Sequence, residues 1–229
     1  MAYWALKVVL TPVFRLAFRV RVEGRHHVPR RGPAILAANH QAFCDSLFLP
    51  LAVARKVTYL AKAEYFDDRR SAWFFRAVGQ IPIRRGGGPL SERALATARE
   101  ALGAGRVLAL YPEGTRSTDE FVHRGRTGVA RLAAECGVPI IPVGIEGTTA
   151  VQPIGRRYLR PFRRVTIRFG PPIELERPSA PDAGLRTDDD RRGAREATDR
   201  LMREISRLSG RSYLDEYVPA RTGAPRRAA

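Results

Sequence analysis

The segment Asn39 to Asp45, NHQAFCD, places a histidine and an aspartate five positions apart. On an unbroken helix that spacing would separate the two side chains around the axis, so His40 and Asp45 can meet only if His40 lies in a turn before the helix. A carboxylate that accepts a hydrogen bond from one ring nitrogen leaves the other nitrogen free to act as a base. The pair is therefore a candidate general base; the alternative is a histidine that satisfies the end of a strand.

The sequence gives this pair no clear nucleophile. Cys44 and Ser46 flank Asp45, but nothing requires either side chain to lie near the imidazole. A histidine and an aspartate without an enzyme nucleophile suit the direct activation of a hydroxyl group on a substrate. We therefore expect His40 to act on a substrate hydroxyl, with Cys44 kept as the alternative nucleophile.

Two further segments have the residue types of a phosphate-binding site. YPEGTRS, residues 111–117, follows a predicted buried strand and contains a carboxylate, a glycine and the planar guanidinium group of Arg116. GQIPIRRGGG, residues 79–88, carries Arg84 and Arg85 beside three glycines. The second segment suits a phosphate clamp or an ordinary basic hairpin, and it lacks the Gly-Lys-Ser/Thr ending of a P-loop.

Short apolar strands that alternate with amphipathic helices must position these segments. The strands are predicted at FRVRVEG, AILAAN, KVTYLAK, QIPIRR, RVLALY, VPIIPVGI and RRVTIRFG. Helices are predicted at SERALATAREALG, with Ser91 as its cap, at TGVARLAAECG and in the region around Leu201 and Ile205. SAWFFRAVG is predicted as a short apolar helix or a turn. This alternation predicts an α/β fold with a central, mostly parallel or mixed sheet flanked by helices.

Residues 1–20 predict an amphipathic helix at a membrane surface. A polar stripe recurs every four residues, at Lys7, Thr11, Arg15 and Arg19, and the other positions are mostly apolar. The longest uncharged internal run, Val8 to Phe14, falls far short of the roughly 20 residues that cross a bilayer. A basic seam beside an apolar face is typical of an interfacial helix, and a helix packed on the core with snorkelling basic residues is the alternative.

The composition indicates an anionic partner in a reducing compartment. Lys and Arg number 40 against 23 Asp and Glu, which gives a net charge of +17. The aromatic residues lie in apolar runs and not among basic residues, which argues against a nucleic-acid partner. The two cysteines, Cys44 and Cys136, show neither a disulfide framework nor zinc spacing, so we expect a cytosolic setting and no metal.

Taken in order, these segments resemble the glycerolipid acyltransferase family, in particular the 1-acylglycerol-3-phosphate acyltransferases. The likeness runs from about Pro29 to Gly147, roughly half of the chain. NHQAFCD, GQIPIRR, YPEGTRS and VPIIPV match the four blocks of the family, and the His-x4-Asp and EGTR blocks are the distinctive ones. Ala42, Arg84 and Tyr111 depart from residues common in the family, which leaves the identity of the acceptor open.

The resemblance implies a role for each matching residue. His40 would be the general base and Asp45 its orienting partner. The expected contacts with the glycerol and phosphate of the acceptor are Arg85, Glu113, Gly114, Thr115 and Arg116, with Arg84 and Arg124 as additional candidates and Arg126 beside them. Pro142 belongs to the block that shapes the acyl-donor side.

The implied activity is transfer of an acyl chain from acyl-CoA or acyl carrier protein to a lysophospholipid, without a cofactor or metal. The acceptor would be 1-acylglycerol 3-phosphate, with glycerol 3-phosphate, another lysophospholipid or a lyso-amino-lipid as alternatives. We expect an enzyme attached peripherally to anionic lipid on the cytoplasmic face of the membrane. Residues 1–20 would form the interfacial helix, 21–209 one acyltransferase domain, and 210–229 a flexible tail.

Overall fold

The computed structural model describes residues 2–67, 69–83, 92–156, 158–176 and 188–219. The strands are β1 Arg19–Glu23, β2 Ala34–Ala38, β3 Val57–Lys62, β4 Ile81–Ile83, β5 Val107–Leu110, β6 Val122–His123, β7 Ile140–Glu146, β8 Arg164–Phe169 and β9 Tyr213–Leu214. The α-helices are α1 Ala2–Ala17, α2 Asp45–Ala52, α3 Arg69–Ala77, α4 Glu92–Gly103, α5 Gly128–Cys136, α6 Thr148–Val151 and α7 Asp188–Ser209.

Within the described residues, seven strands form one sheet in the order β1-β8-β7-β2-β5-β3-β4. Strand β2 lies in the middle and runs parallel to both β5 and β7, while β7 and β8 are antiparallel. The predicted α/β fold with a mostly parallel or mixed sheet is therefore confirmed, and so are the seven predicted strands.

The central strand separates two apolar layers. All five residues of β2 are buried. Leu36 and Ala38 face a layer that contains Phe48 of α2 and Phe18, which follows α1. Ile35 and Ala37 face the opposite layer, which α4, α5 and α7 cover with Leu95, Leu102, Leu132, Leu201 and Ile205. A strand buried on both faces has apolar residues at every position, and AILAA has this pattern.

The pairing of β2 with β5 brings the two distinctive segments together. Ala34 pairs with Val107 and Ala37 with Leu110, in parallel. Both strands therefore end at the same edge of the sheet, where ligands bind in open α/β sheets. His40 lies just beyond the end of β2, and the YPEGTRS segment begins directly after β5.

Helix α1 exists as predicted, but part of its polar stripe faces the protein. Lys7 Nζ donates to three carbonyl oxygens around the end of α2, those of Pro50 at 2.7 Å, Val53 at 2.5 Å and Arg55 at 3.2 Å. Burial lowers the pKa of Lys7 to about 8. The expectation of a basic seam toward lipid headgroups is wrong at this position, because the ammonium group caps exposed carbonyl groups of α2.

The outward face of α1 is mostly apolar, with Arg15 also exposed two turns after Val8. Val8 is 72% exposed and Leu16 83% exposed, and Trp4, Val9 and Val13 are also exposed on this helix. Of the helices in the described part of the chain, none has both the length and the apolar composition that crossing a membrane requires.

The predicted tail boundary at residue 210 falls too early. Tyr213 and Leu214 form β9, which pairs in parallel with Val122 and His123 of β6. Strands of two residues show no periodicity in a sequence, which is why neither was predicted. The domain therefore extends into residues 211–219, while 220–229 lie outside the described residues.

Candidate active site

His40 and Asp45 form the predicted pair. His40 Nδ1 lies 2.9 Å from Asp45 Oδ2, and the same oxygen accepts the backbone N–H groups of Gln41 at 2.8 Å and Ala42 at 2.9 Å. Because a carboxylate only accepts, Nδ1 carries the proton and Nε2 has the free lone pair. Among the described residues, none provides a hydrogen-bond partner for Nε2. The arrangement is that of an oriented general base.

The exposure of the two side chains matches these roles. The side chain of Asp45 is 1% exposed and that of His40 is 16% exposed. The carboxylate lies in the first turn of α2, where the partial positive charge of a helix N-terminus favours an anion. A buried carboxylate behind a partly exposed ring directs the free nitrogen toward the surface that a substrate reaches.

Asn39 fixes the point where the chain leaves β2. Its side-chain amide donates to the carbonyl oxygen of Ile145 at 2.9 Å, and its side-chain oxygen accepts the Ile145 N–H at 2.8 Å. The buried amide group therefore replaces one peptide unit of strand pairing with β7. This contact holds the backbone immediately before His40.

Tyr111 covers one face of the His40 ring. The ring centroids are 3.8 Å apart and the planes differ by 9°. The Tyr111 hydroxyl lies 2.8 Å from Ser46 Oγ, and burial raises the pKa of Tyr111 above its usual value, so the phenol stays neutral. The stack and the hydroxyl contact restrict rotation of the imidazole.

Glu113 holds the catalytic loop and does not face the cavity. One carboxylate oxygen accepts the His40 N–H at 3.1 Å, and the other accepts the His123 N–H at 3.3 Å. The residue is buried, and burial raises its pKa to about 7 in spite of these two donors. Through these two contacts Glu113 positions the His40 backbone, and its expected contact with the glycerol hydroxyl stays a prediction.

The remainder of the YPEGTRS segment holds the other side of the His40 backbone. The Ser117 N–H donates to the His40 carbonyl oxygen at 2.8 Å. Gly114 makes the turn between these contacts with a φ of 78°, a left-handed conformation that favours glycine. His40 is thus held by this segment at both its N–H and its C=O, which explains physically why the two segments occur together.

A second histidine and aspartate pair lies beside the first. His123 Nε2 lies 2.9 Å from Asp119 Oδ2, and its Nδ1 lies 3.2 Å from the Glu216 carbonyl oxygen. Ser117 Oγ donates to Asp119 Oδ1 at 2.7 Å. Burial acts to raise the pKa of Asp119, but its hydrogen bonds with Ser117, Phe121 and His123 hold that pKa below its usual value.

An apolar cavity of about 390 Å³ reaches His40. We name its polar end the part of the wall formed by His40 and the neighbouring Gly114, Thr115 and Arg116; other polar residues of the wall are Lys7, Ser46 and Gln80. Apolar side chains of α1, α2, α3 and the neighbouring strands form most of its wall: Leu6, Leu10, Phe14, Leu47, Leu51, Leu60, Phe74, Phe75 and Val78. Such a space accepts a chain of methylene groups with its reacting end at His40.

Thr115 and Arg116, two of the predicted phosphate and glycerol contacts, lie at this polar end and are exposed. Arg124 is partly exposed, with Nε 3.5 Å from Asp215 Oδ1. Arg84 and Arg85 lie outside the described residues, as does the predicted Ser91 cap. Pro142 lies in the buried strand β7 and pairs with Ala37, so it supports the sheet.

The geometry contradicts Cys44 as a nucleophile. The side chain is buried in the apolar layer beneath α2, and its Sγ lies 3.7 Å from the Thr148 carbonyl oxygen. Burial raises the pKa of the thiol to about 12. The thiolate form that would attack a thioester is therefore disfavoured. Among the described residues, no three His, Cys, Asp or Glu side chains converge as a metal site requires.

The sequence alone did not reveal the positioning roles of Asn39, Tyr111 and the Asp119–His123 pair. An aspartate four residues before a histidine was a visible signal for the last of these. The stack of Tyr111 on His40 had no signal in the sequence, because it depends on the register of β2 against β5.

Comparisons with known proteins agree with this geometry. The sequence model of a family described as Acyltransferase matches residues 19–146. A chloroplastic 1-acyl-sn-glycerol-3-phosphate acyltransferase of Arabidopsis thaliana is 26% identical over 157 residues, which cover 68% of this chain and 44% of that protein. A lyso-ornithine lipid O-acyltransferase of Pseudomonas aeruginosa is 36% identical over 133 residues, 57% of this chain and 48% of that protein.

A solved structure has the same fold. The crystal structure of the 1-acyl-sn-glycerophosphate acyltransferase PlsC from Thermotoga maritima superposes with a TM-score of 0.69 and 27% identity, covering 91% of this chain and 80% of that one. The chain spans about half the length of the curated relatives it matches. The matched region contains His40, Asp45 and the whole YPEGTRS segment.

Proposed function

The chain belongs to the acyltransferase family, and we propose that it transfers a fatty acyl group from an acyl thioester to the free hydroxyl of 1-acylglycerol 3-phosphate, which yields phosphatidic acid. The observation that carries this proposal is His40, whose Nδ1 is held by Asp45 and whose ring lines the polar end of an apolar cavity. The names of the Arabidopsis relative and of the solved structure support the same acceptor, while the Pseudomonas relative is named for lyso-ornithine lipid.

In the proposed reaction, His40 Nε2 removes the hydroxyl proton of the acceptor as its oxygen attacks the thioester carbonyl carbon. The carbon–sulfur bond then breaks, and the imidazolium returns the proton to the leaving thiolate. Asp45 keeps the ring in the required tautomer and stabilises its transient positive charge. The acceptor supplies the nucleophile, so we propose that the reaction needs neither a metal nor a cofactor beyond acyl-CoA or acyl carrier protein as donor.

The cavity is proposed to hold an acyl chain with its carbonyl carbon near His40. Burial of each methylene group contributes about 0.8 kcal/mol, so the apolar wall favours long chains over short ones. Arg116 at the polar end is proposed to contact the acceptor phosphate, because a guanidinium group matches the geometry of phosphate oxygens.

Helix α1 is proposed to lie in the cytoplasmic membrane surface. Its outward face exposes Val8, Val13 and Leu16, and its inward face lines the cavity through Leu6 and Leu10. An apolar helix face in this position would place the cavity beside the acyl chains of the bilayer. The net charge of +17 is proposed to add attraction to anionic lipid.

The activity is tested by mixing the protein with palmitoyl-CoA and a panel of acceptors in detergent, then measuring free thiol and identifying the lipid product by mass spectrometry. We expect thiol release that depends on 1-acylglycerol 3-phosphate, with phosphatidic acid as the product. A reaction without acceptor measures simple hydrolysis. If only glycerol 3-phosphate or lyso-ornithine lipid supports thiol release, the acceptor is different and the acyl transfer stands. If no acceptor in the panel supports thiol release, the proposal is contradicted.

Membrane attachment is tested by sedimentation with vesicles of phosphatidylcholine and phosphatidylglycerol. Replacing Leu16 with Gln removes a large apolar side chain from the outward face of α1, and we expect the affinity for vesicles to fall about tenfold. The matched control is Ile154→Gln, which removes an exposed apolar side chain outside α1. Equal effects of the two substitutions would contradict the role of α1.

A further inference from the structure

Residues 211–219, which we name the C-terminal strap, bind along the segment that follows the active-site loop. The Val122 N–H donates to the Ser212 carbonyl oxygen at 3.0 Å, and the Arg124 N–H donates to the Glu216 carbonyl oxygen at 2.9 Å. The His123 ring reaches the same Glu216 carbonyl oxygen at 3.2 Å. The strap lies beyond residues 19–146, the region that the family shares with this chain.

The strap brings one aromatic ring to two arginines. The guanidinium carbon of Arg124 lies 5.5 Å from the centroid of the Tyr217 ring, and that of Arg126 lies 5.3 Å from it. Both distances are within the range of cation–π attraction. Asp215 of the strap lies near Arg124 and accepts a hydrogen bond from the Tyr213 hydroxyl at 3.0 Å. One ring therefore holds two like charges that would otherwise repel each other.

Hydrogen bonds connect the backbone around the two arginines with the segment that holds His40. Glu113 accepts the His40 N–H with one oxygen and the His123 N–H with the other. The Arg126 N–H donates to the Pro112 carbonyl oxygen at 2.8 Å. The backbone of residues 123–126 is thus attached directly to the segment that carries Arg116.

The backbone between the two arginines is also fixed from α7. A Cβ atom built on Gly125 would lie 2.7 Å from Met202 Sδ and 3.0 Å from Thr198, so the glycine is packed against this helix. Arg195 donates to the Gly125 carbonyl oxygen at 2.7 Å. With the peptide fixed on one side and Tyr217 on the other, little freedom remains for the positions of the two guanidinium groups.

We propose that Tyr217 is a positioning residue, whose ring holds the guanidinium groups of Arg124 and Arg126, for which the family resemblance already implies phosphate contacts, where they meet the acceptor phosphate. The inference rests on the proposed function. In 1-acylglycerol 3-phosphate the reacting hydroxyl and the phosphate are on adjacent carbons, so the phosphate stays near His40. The phosphates of coenzyme A lie at the far end of the pantetheine arm from the thioester. The backbone connection to His40 therefore favours the acceptor as the source of the phosphate.

The test compares Tyr217→Leu with Tyr217→Phe, since Phe keeps the ring and removes only the hydroxyl. The KM values for 1-acylglycerol 3-phosphate and for palmitoyl-CoA are measured separately at saturating co-substrate. We expect Tyr217→Leu to raise the acceptor KM about three- to tenfold with little change in kcat, and Tyr217→Phe to stay near wild type. A rise confined to the palmitoyl-CoA KM would support the positioning role of Tyr217 and assign the bound phosphate to the donor.

Three results would overturn the positioning role of Tyr217: unchanged KM values in Tyr217→Leu, equal rises for both substrates, or a Phe variant as impaired as the Leu variant. If the Leu variant fails to fold, Arg126→Gln replaces it, because Arg126 is exposed and its side chain can be shortened without disturbing the core. Arg126→Gln must then raise the KM for 1-acylglycerol 3-phosphate. Wild-type protein that releases no thiol with any acceptor would contradict the proposed function and not this role of Tyr217 alone.

Discussion

The part of the chain that the structure describes contains two histidine and aspartate pairs with opposite burial. In the first pair the side chain of Asp45 is 1% exposed and that of His40 is 16% exposed. In the second pair the histidine, His123, is 2% exposed, while Asp119 is 42% exposed. The same two residue types thus place the carboxylate inside and the ring outside in one case, and the reverse in the other.

The difference decides what each ring can do. His40 has one nitrogen held by Asp45, and its ring lines the cavity. His123 has both nitrogens beside oxygen acceptors, those of Asp119 and the Glu216 carbonyl group, so neither is left to take a proton from a substrate. A general base needs a free nitrogen within reach of the substrate, whereas a positioning residue needs both nitrogens engaged.

Replacing the two aspartates separately gives the largest expected contrast. We expect Asp45→Asn to lower kcat about 1,000-fold, because an amide group can present its N–H to Nδ1 and favour the wrong tautomer of His40. Asp119→Asn should keep kcat within about threefold of wild type, because its partner ring takes no part in proton transfer. Steady-state thiol release measures both variants, and equal losses would remove the distinction between the pairs.

Glu113 links the two pairs and should make stability depend on pH. Burial raises its pKa in the folded protein to about 7 from the ordinary value of 4.5, so the folded state binds the proton more tightly than the unfolded chain. The contribution of Glu113 to the free energy of unfolding is fully present below the unfolded pKa of about 4.5. It is lost as pH rises from there to about 7, by at most about 3 kcal/mol.

Urea unfolding at several pH values checks this effect, with Glu113→Gln as the matched variant. The wild-type protein should lose stability relative to Glu113→Gln between pH 5 and pH 7.5, since glutamine has no proton to release in this range. If the free energy of unfolding changes equally with pH in both proteins, another group causes the pH dependence.

The sequence was sufficient to predict the sheet, the flanking helices and the His40–Asp45 pair, because each has a local signature. Alternation marks the strands, and the five-residue spacing places His40 in a turn. The contacts that Glu113 and Lys7 make with backbone groups were not predicted, for a common reason. Both side chains bind backbone groups from distant segments, and a sequence does not show which backbone groups lack partners.

The second pair should affect stability more than catalysis. His123→Gln removes one of the two contacts that the ring makes, because a single amide nitrogen cannot reach both Asp119 and Glu216. We expect a loss of about 1 to 2 kcal/mol in the free energy of unfolding. Hydrogen exchange of the backbone in residues 212–217 should become faster, while exchange in β2 and β5 changes little. Unchanged protection of the strap would contradict the positioning role.

Cys44→Ala should have the smallest effect. The side chain is buried beside Asp45, so its removal leaves a small cavity that costs about 1 kcal/mol of stability. Turnover should stay within about twofold of wild type, because the thiol faces the Thr148 carbonyl group. Loss of activity in a variant that unfolds at the wild-type urea concentration would restore the cysteine as a nucleophile.

The most direct test of the account replaces each histidine in turn and measures thiol release from palmitoyl-CoA with saturating 1-acylglycerol 3-phosphate. Circular dichroism and urea unfolding first establish that each variant is folded. We predict that His40→Ala lowers kcat by at least about 1,000-fold, while His123→Gln keeps kcat within about threefold of wild type. A folded His40→Ala variant that turns over at the wild-type rate would contradict the assignment of His40 as the general base.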